Sequence, residues 1–166
     1  MSDETMQAAM DQAYRFLAQR FLSSYELTQK MRRKQFEDPI IERVLERLRD
    51  YDYINDERLS EQVLTYLMKE QKYGAYMIKQ KMKLRGLAIP QEISAYDEVK
   101  AAYRVVEKKF GSILNEEKTP RVKVFSFLKY RGFSTSTIQV VCNDFMNKFC
   151  FFRGLGRLVK SCQKGL

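Results

Sequence analysis

Three seven-residue segments of this chain carry one pattern of apolar and basic residues, and it is a pattern that ends an α-helix. They are Lys30–Phe36, Lys81–Leu87 and Phe127–Phe133, offset by 51 and then 46 residues. Met31, Met82 and Leu128 form an apolar column and Arg32, Lys83 and Lys129 a basic one. Lys34, Arg85 and Arg131 form a second basic column, and Phe36, Leu87 and Phe133 an apolar anchor. Gly86 and Gly132 stand where a helix ends in the left-handed conformation that glycine adopts cheaply, so that the next apolar residue packs back on the last turn. The second basic column has a structural use there, because a cation complements the negative end of a helix. A period near 50 residues confines the chain to a stack of units, since one such unit alone buries too small a share of its surface.

Helix starts and stops fill in the units. Tyr14, Leu17, Ala18, Phe21 and Leu22 have the spacing of one helical stripe, and Ser23-x-x-Glu26 has the form of a capping box opening a second helix. Asp38–Pro39 offers an N-cap and a proline at the first position of a third helix, which carries Ile40, Val44, Leu45 and Leu48. Asn55 or Asp56 can cap a fourth helix with Leu59, Val63, Tyr66 and Leu67, and Ala75, Ile78 and Met82 mark a fifth. Pro90 matches Pro39 and predicts a sixth. Val99, Ala102, Tyr103, Val106 and Phe110 follow, then a loop from Gly111 to Lys118, a helix opened by Thr119–Pro120, and a last helix with Ile138, Val141, Cys142 and Phe145.

Only Lys148–Arg153 has any strand character. The expected fold is all-α: three tandem three-helix repeats forming an elongated, curved array. The expected divisions are an N-terminal extension at 1–12, repeats at 13–54, 55–97 and 98–149, and a basic C-terminal tail at 150–166.

Charge and composition narrow the function. The formal charge of +9 over 166 residues favours an acidic partner such as nucleic acid. It is unevenly placed: residues 37–61 hold nine acids and four bases, whereas 118–133 and 146–166 hold five bases each and no acid. With no histidine and three cysteines lacking a C-x-x-C pair, no metal site, no cofactor and no enzyme is expected. Glu42 with Glu46, and Asp56 with Glu57, are the carboxylate pairs a catalyst would need, but they fall on the exposed sides of acidic helix ends, where ordinary solvation explains them. No apolar run nears the roughly 20 residues that span a bilayer, and Asp3, Glu4 and Asp11 stand where a secretory signal would be basic. A cytoplasmic monomer without membrane contact is the expectation.

Candidate partner contacts follow from the basic columns. Lys72, Tyr76, Lys79 and Lys83 fall at i, i+4, i+7 and i+11, on a face adjoining the Ala75, Ile78 and Met82 stripe. With Arg32 and Lys129 from the first column, and Arg85 and Arg131 from the second, they make the candidate surface for a protein partner or DNA phosphates. Helix-turn-helix modules also combine three helices with a basic one, so a free-standing DNA-binding protein is the alternative. The tail, with Arg153, Arg157, Lys160 and Lys164 among phenylalanines and leucines, could add a nonspecific nucleic-acid contact or continue the last helix into the core. Gly154-Leu155-Gly156-Arg157 lacks the third glycine and preceding strand of a nucleotide-binding loop.

The stretch Ser23 to Met31 (S-x-x-E-L-x-x-K-M), the Tyr53-Ile54-Asn55-Asp56-Glu57-Arg58 joint and the K-x-R-G-L form at Lys83 to Leu87 resemble the RecX family of bacterial RecA regulators. The likeness extends over roughly Ala13 to Phe145. It implies tandem three-helix repeats that bind the RecA filament along its groove, limit its growth and lower its recombinase and co-protease activities. The chain departs from the family at Gln35 and Asp52, where glycines are usual, and at Leu59-Ser60, where an aromatic-alanine pair is usual.

Overall fold

The structure, a computed structural model, describes residues 3–111 and 121–144. Seven α-helices run as α1 Asp3–Leu17, α2 Ser24–Arg33, α3 Asp38–Asp50, α4 Asp56–Glu70, α5 Ala75–Leu84, α6 Glu98–Phe110 and α7 Arg121–Tyr130. An eighth, α8, covers 135–144, and a 3-10 helix covers Gln91–Ala95. There is no strand among the described residues, and the fold is all-α. The Gly111–Lys118 loop beyond its first residue, Thr119–Pro120, Phe145 and the basic tail lie outside the described residues.

The first helix differs from the sequence expectation. It starts at Asp3 and ends at Leu17, so most of the expected extension at 1–12 is helical. Met6, Ala9, Met10 and Ala13 recur at i, i+3, i+4 and i+7 and are buried, which makes them the core stripe of α1. Phe21 and Leu22 lie beyond the helix: Leu22 is buried, whereas Phe21 is 76% exposed. The chain leaves α1 there because it must be extended at Ser23, whose hydroxyl accepts from the Glu26 amide while Glu26 accepts from the Ser23 amide. On α4 the buried face carries Leu59, Ser60, Leu64 and Leu67, and the expected stripe residue Tyr66 is 60% exposed.

The three repeated helix ends share one geometry. Gln35, Gly86 and Gly132 take φ values of 63°, 68° and 78°. Phe36, Leu87 and Phe133 each donate their amide to the carbonyl five residues back, on Met31, Met82 and Leu128. Those three acceptor residues are wholly buried. This is the double-bonded glycine C-cap, built on glutamine in the first repeat. Asp52 and Gln71 close α3 and α4 with φ of 54° and 51°. A left-handed non-glycine residue is strained by about 1–3 kcal/mol, part of which glycine loses again through its freer unfolded chain. Gln35→Gly should therefore raise stability by about 0.5–1 kcal/mol. Chemical denaturation checks this, and an unchanged midpoint would mean that the strain is already relieved.

Where Pro90 predicted a full α-helix, the chain forms only the 3-10 helix Gln91–Ala95. None of its residues is buried, and a short helix without an apolar face to bury has little to stabilise it. At the corresponding place in the first repeat, α3 buries Ile40, Ile41, Val44, Leu45 and Leu48. That helix starts at Asp38, with Glu37 at its N-cap.

The chain divides into two compact units, Met1–Tyr66 with Lys79–Ile93, and Leu67–Ile78 with Ser94–Leu166. In the first, Leu27 and Met31 of α2 pack with the buried residues of α1 and α3. In the second, Ala102, Val106 and Phe110 of α6 pack with Val124 and Leu128 of α7 and Ile138 and Val141 of α8. The boundary falls within α4 and α5, so residues 55–97 are shared between the units.

Candidate functional site

Two members of the second basic column, Arg85 and Arg131, sit at joints of matching construction, one in each unit. In the first unit, the Arg85 guanidinium donates to the Phe21 carbonyl at 2.9 Å and pairs with the Glu26 carboxylate at 3.0 Å. The Ser23 hydroxyl donates to the Arg85 carbonyl, and the Ser24 amide to the Asp56 carboxylate at 2.8 Å. In the second, the Arg131 guanidinium donates to the Lys72 carbonyl at 2.9 Å, and the Arg131 carbonyl accepts from the Gly74 amide at 2.9 Å. The Ala75 amide donates to the Glu98 carboxylate at 2.9 Å. Phe21, Ser23 and Ser24 become Lys72, Gly74 and Ala75 under the offset of 51, and Arg85 becomes Arg131 under the offset of 46. In both joints an arginine past the end of one helix holds the carbonyl before another, and a carboxylate caps that second helix's first amide.

Each joint also rests on a close approach at glycine. A Cβ on Gly86 would lie 2.6 Å from Cγ of Tyr25, and one on Gly132 would lie 2.6 Å from the Met77 amide nitrogen. A Cβ on Gly74 would run into the carbonyl of Gly132 and Cα of Phe133.

The acids here are held ionised. Burial pushes the Glu26 carboxyl up, but hydrogen bonds from Arg85 and the Ser23 amide, with the charges of Arg85 and Arg20, outweigh it and bring it below the usual carboxylate range. Burial likewise raises Glu98, and hydrogen bonds from Ser134, the Ala75 amide and Thr137 bring it down. Glu98 therefore ties the start of α5 to the start of α8, where Ser134 and Thr137 donate at 2.6 and 2.8 Å.

The eight candidate residues divide by what they touch. Arg85 and Arg131 are joint residues; Arg131 also stacks 4.7 Å from the Phe127 ring centroid. Arg32 is exposed and pairs with Asp38 at 2.8 Å, an interaction that lowers the Asp38 carboxyl. Lys72 pairs with Glu70 at 2.6 Å. It does not lie on the helical face expected for it, because Gln71 ends α4 and α5 begins only at Ala75. Tyr76, Lys79 and Lys83 do share a face of α5, adjoining the buried Ile78 and Met82, and all three are exposed. Lys129 is exposed, its ammonium 5.9 Å from the Phe125 ring centroid. Arg32, Lys83 and Lys129 also occupy the same structural position, since the carbonyl of each accepts the amide of the left-handed residue three places on.

Asp56 and Glu98 are the site-forming residues that column matching misses. They lie 42 residues apart and so fall outside the 51- and 46-residue offsets. Cys142 is buried, and burial raises its thiol. No helix of the described residues is long and apolar enough to cross a membrane.

Comparison with known proteins gives one result throughout. The first three-helix domain of RecX matches residues 9–48, and the third matches residues 96–142. A regulatory protein RecX of Clostridium acetobutylicum is 31% identical over 152 residues, spanning 84% of this chain and 70% of its own length. One from Acinetobacter baylyi is 30% identical over 130 residues, spanning 76% and 81%. The crystal structure of RecX from Lactobacillus salivarius superposes with a TM-score of 0.67 at 19% identity, covering 87% of this chain and 98% of that one. At that identity the likeness is one of fold.

Proposed function

Because this chain belongs to the RecX family of regulatory proteins, we propose that it binds the RecA recombinase filament and lowers its recombinase, ATPase and co-protease activities in DNA repair and the SOS response. The observation that carries this reading is the outward cation at each repeated helix end, Arg32, Lys83 and Lys129, with Lys79 one turn before Lys83. A charge placed at the same point of successive repeats suits a partner that is itself periodic, and a filament is one. Tyr76 extends the face on α5, and Lys72 flanks it. Arg85 and Arg131 contribute indirectly, by holding the joints. The protein acts in the cytoplasm, as a monomer and without a cofactor.

The test adds the protein to preformed RecA filaments and follows ATP hydrolysis and filament length separately. The double variant Lys79→Glu, Lys83→Glu should weaken inhibition by about tenfold or more, as loss of two interfacial charges predicts. Its melting temperature should be unchanged, because both side chains are exposed. Equal inhibition would reject this face. Sequence-specific retardation of a short duplex, below the concentration that slows ATP hydrolysis, would favour a free-standing DNA-binding regulator.

A further inference from the structure

The outward side of α3 carries charges that work against its own helix. Glu42, Glu46 and Asp50 follow one another at i, i+4 and i+8, opposite the buried face of Ile40, Ile41, Val44, Leu45 and Leu48, and all three are exposed. Like charges at that spacing destabilise a helix, and Asp50 adds a negative charge to its negative end. Among the described residues none of the three pairs with a cation. The nearby arginines are used elsewhere: Arg49 donates to the Ser24 hydroxyl at 3.1 Å, and Arg58 pairs with Asp52 at 2.6 Å.

This column leads to two aromatic rings at the end of α3. Tyr51 is 67% and Tyr53 57% exposed. The Tyr53 ring stands edge to face against Tyr14, with centroids 5.3 Å apart and planes at 71°, which holds it in place before any partner arrives. Around the rings, residues 37–61 hold nine acids and four bases, in a chain whose formal charge is +9. A cationic occupant is the one that complements this local charge. Carboxylates one helical turn apart are about 6 Å from one another, and alternate residues of an extended chain are about 6.6 Å apart. An extended segment with a cation at every second residue therefore meets the column in register. Arginine suits both parts better than lysine, because its planar guanidinium bonds a carboxylate through two N–H groups and stacks on a tyrosine ring.

We propose that α3 and the turn after it form a docking surface for an extended, arginine-rich segment of a partner protein, with guanidinium groups on Glu42, Glu46 and Asp50 and against the rings of Tyr51 and Tyr53. The surface shares no residue with the cations Arg32, Lys79, Lys83 and Lys129, so it stands or falls separately from filament inhibition. A fluorescein-labelled peptide of alternating arginine and serine, titrated with the full chain and followed by anisotropy, should bind with a Kd that rises with salt. A peptide of the same composition with its arginines contiguous should bind several-fold more weakly, and one of alternating lysine and serine about threefold more weakly. The triple variant Glu42→Gln, Glu46→Gln, Asp50→Asn should weaken binding about tenfold, and Tyr51→Leu about threefold. The triple variant should melt no lower than the parent, since it removes repulsion along the helix. Absence of binding, an unchanged Kd in the triple variant, or equal binding of the two arginine peptides would overturn the proposal. So would tighter binding when Arg153→Gln, Arg157→Gln, Lys160→Gln and Lys164→Gln are combined, because the surface would then belong to the chain's own basic tail.

Discussion

Replacing Gly74 with alanine is expected to lower stability by about 3 kcal/mol, the upper part of the range for forcing one extra carbon into a packed site. The added methyl would run into the carbonyl of Gly132 and Cα of Phe133, all main-chain atoms that no rotamer change can move aside. Relief would require the backbone to separate, and with it the bond from the Gly74 amide to the Arg131 carbonyl. Gly132→Ala should be nearly as damaging, since it meets the main chain of Met77 and carries a φ of 78°. Gly86→Ala should be comparably damaging, because its nearest obstacle is Cβ of Tyr25 at 2.4 Å, an atom that no rotamer change moves, and a φ of 68° adds the strain of a left-handed alanine. For a chain of this length the Gly74 variant should melt roughly 10 °C lower. Thermal scans of the three variants check this, and any one of them melting with the parent would contradict the geometry.

Glu98→Ala should cost about 2–4 kcal/mol, through the donors it strands rather than through any pair it breaks. Its carboxylate accepts from the amides of Ala75 and Ser134 and the hydroxyls of Ser134 and Thr137. Thr137 is buried, so its hydroxyl has little access to replacement water. Glu98→Gln keeps one acceptor oxygen and turns an NH2 toward the remaining donors, so it should fall between the parent and the alanine variant. The pH dependence has a definite sign. Glu98 and Glu26 are both lowered in the folded protein, so their contribution is fully present above the unfolded value near 4.3. It is lost as the pH falls through the folded values. Stability should therefore decline below about pH 4.5, and less steeply in Glu98→Gln. A parallel decline in the two proteins would assign the acid sensitivity to other groups.

Helix ends were the most legible part of this sequence, because their chemistry is local. The capping box at Ser23 and Glu26, and the glycines at 86 and 132, work through bonds spanning only a few residues, and they appear where the pattern predicts them. Gln35 and Asp52, which depart from the family's glycines, take the left-handed conformation all the same. There the surrounding turn decides the backbone. The beginning of α1 was obscured because methionine and alanine make a weak hydrophobic stripe beside Tyr14, Leu17 and Phe21. The joints were half legible. Arg85 and Arg131 stood out as a column, but their acceptors are backbone carbonyls of Phe21 and Lys72, and a carbonyl leaves no mark on residue type. Exposure was harder still: Lys72 and Tyr76 have helical spacing in the sequence, yet the turn at Gln71 to Gly74 separates them.

The likeness of the two joints bears on how a chain of this kind can change length. Arg131 holds the Lys72 carbonyl as Arg85 holds that of Phe21, so the segment before α2 already presents what the end of α7 requires. A deletion fusing Arg33 to its counterpart far downstream would leave matching halves, whereas a cut at an arbitrary point would leave an arginine and a carboxylate without their acceptor and donor. Recombination between such coding segments would thus yield foldable shorter or longer proteins more often than chance, making unit number an evolvable property of the lineage.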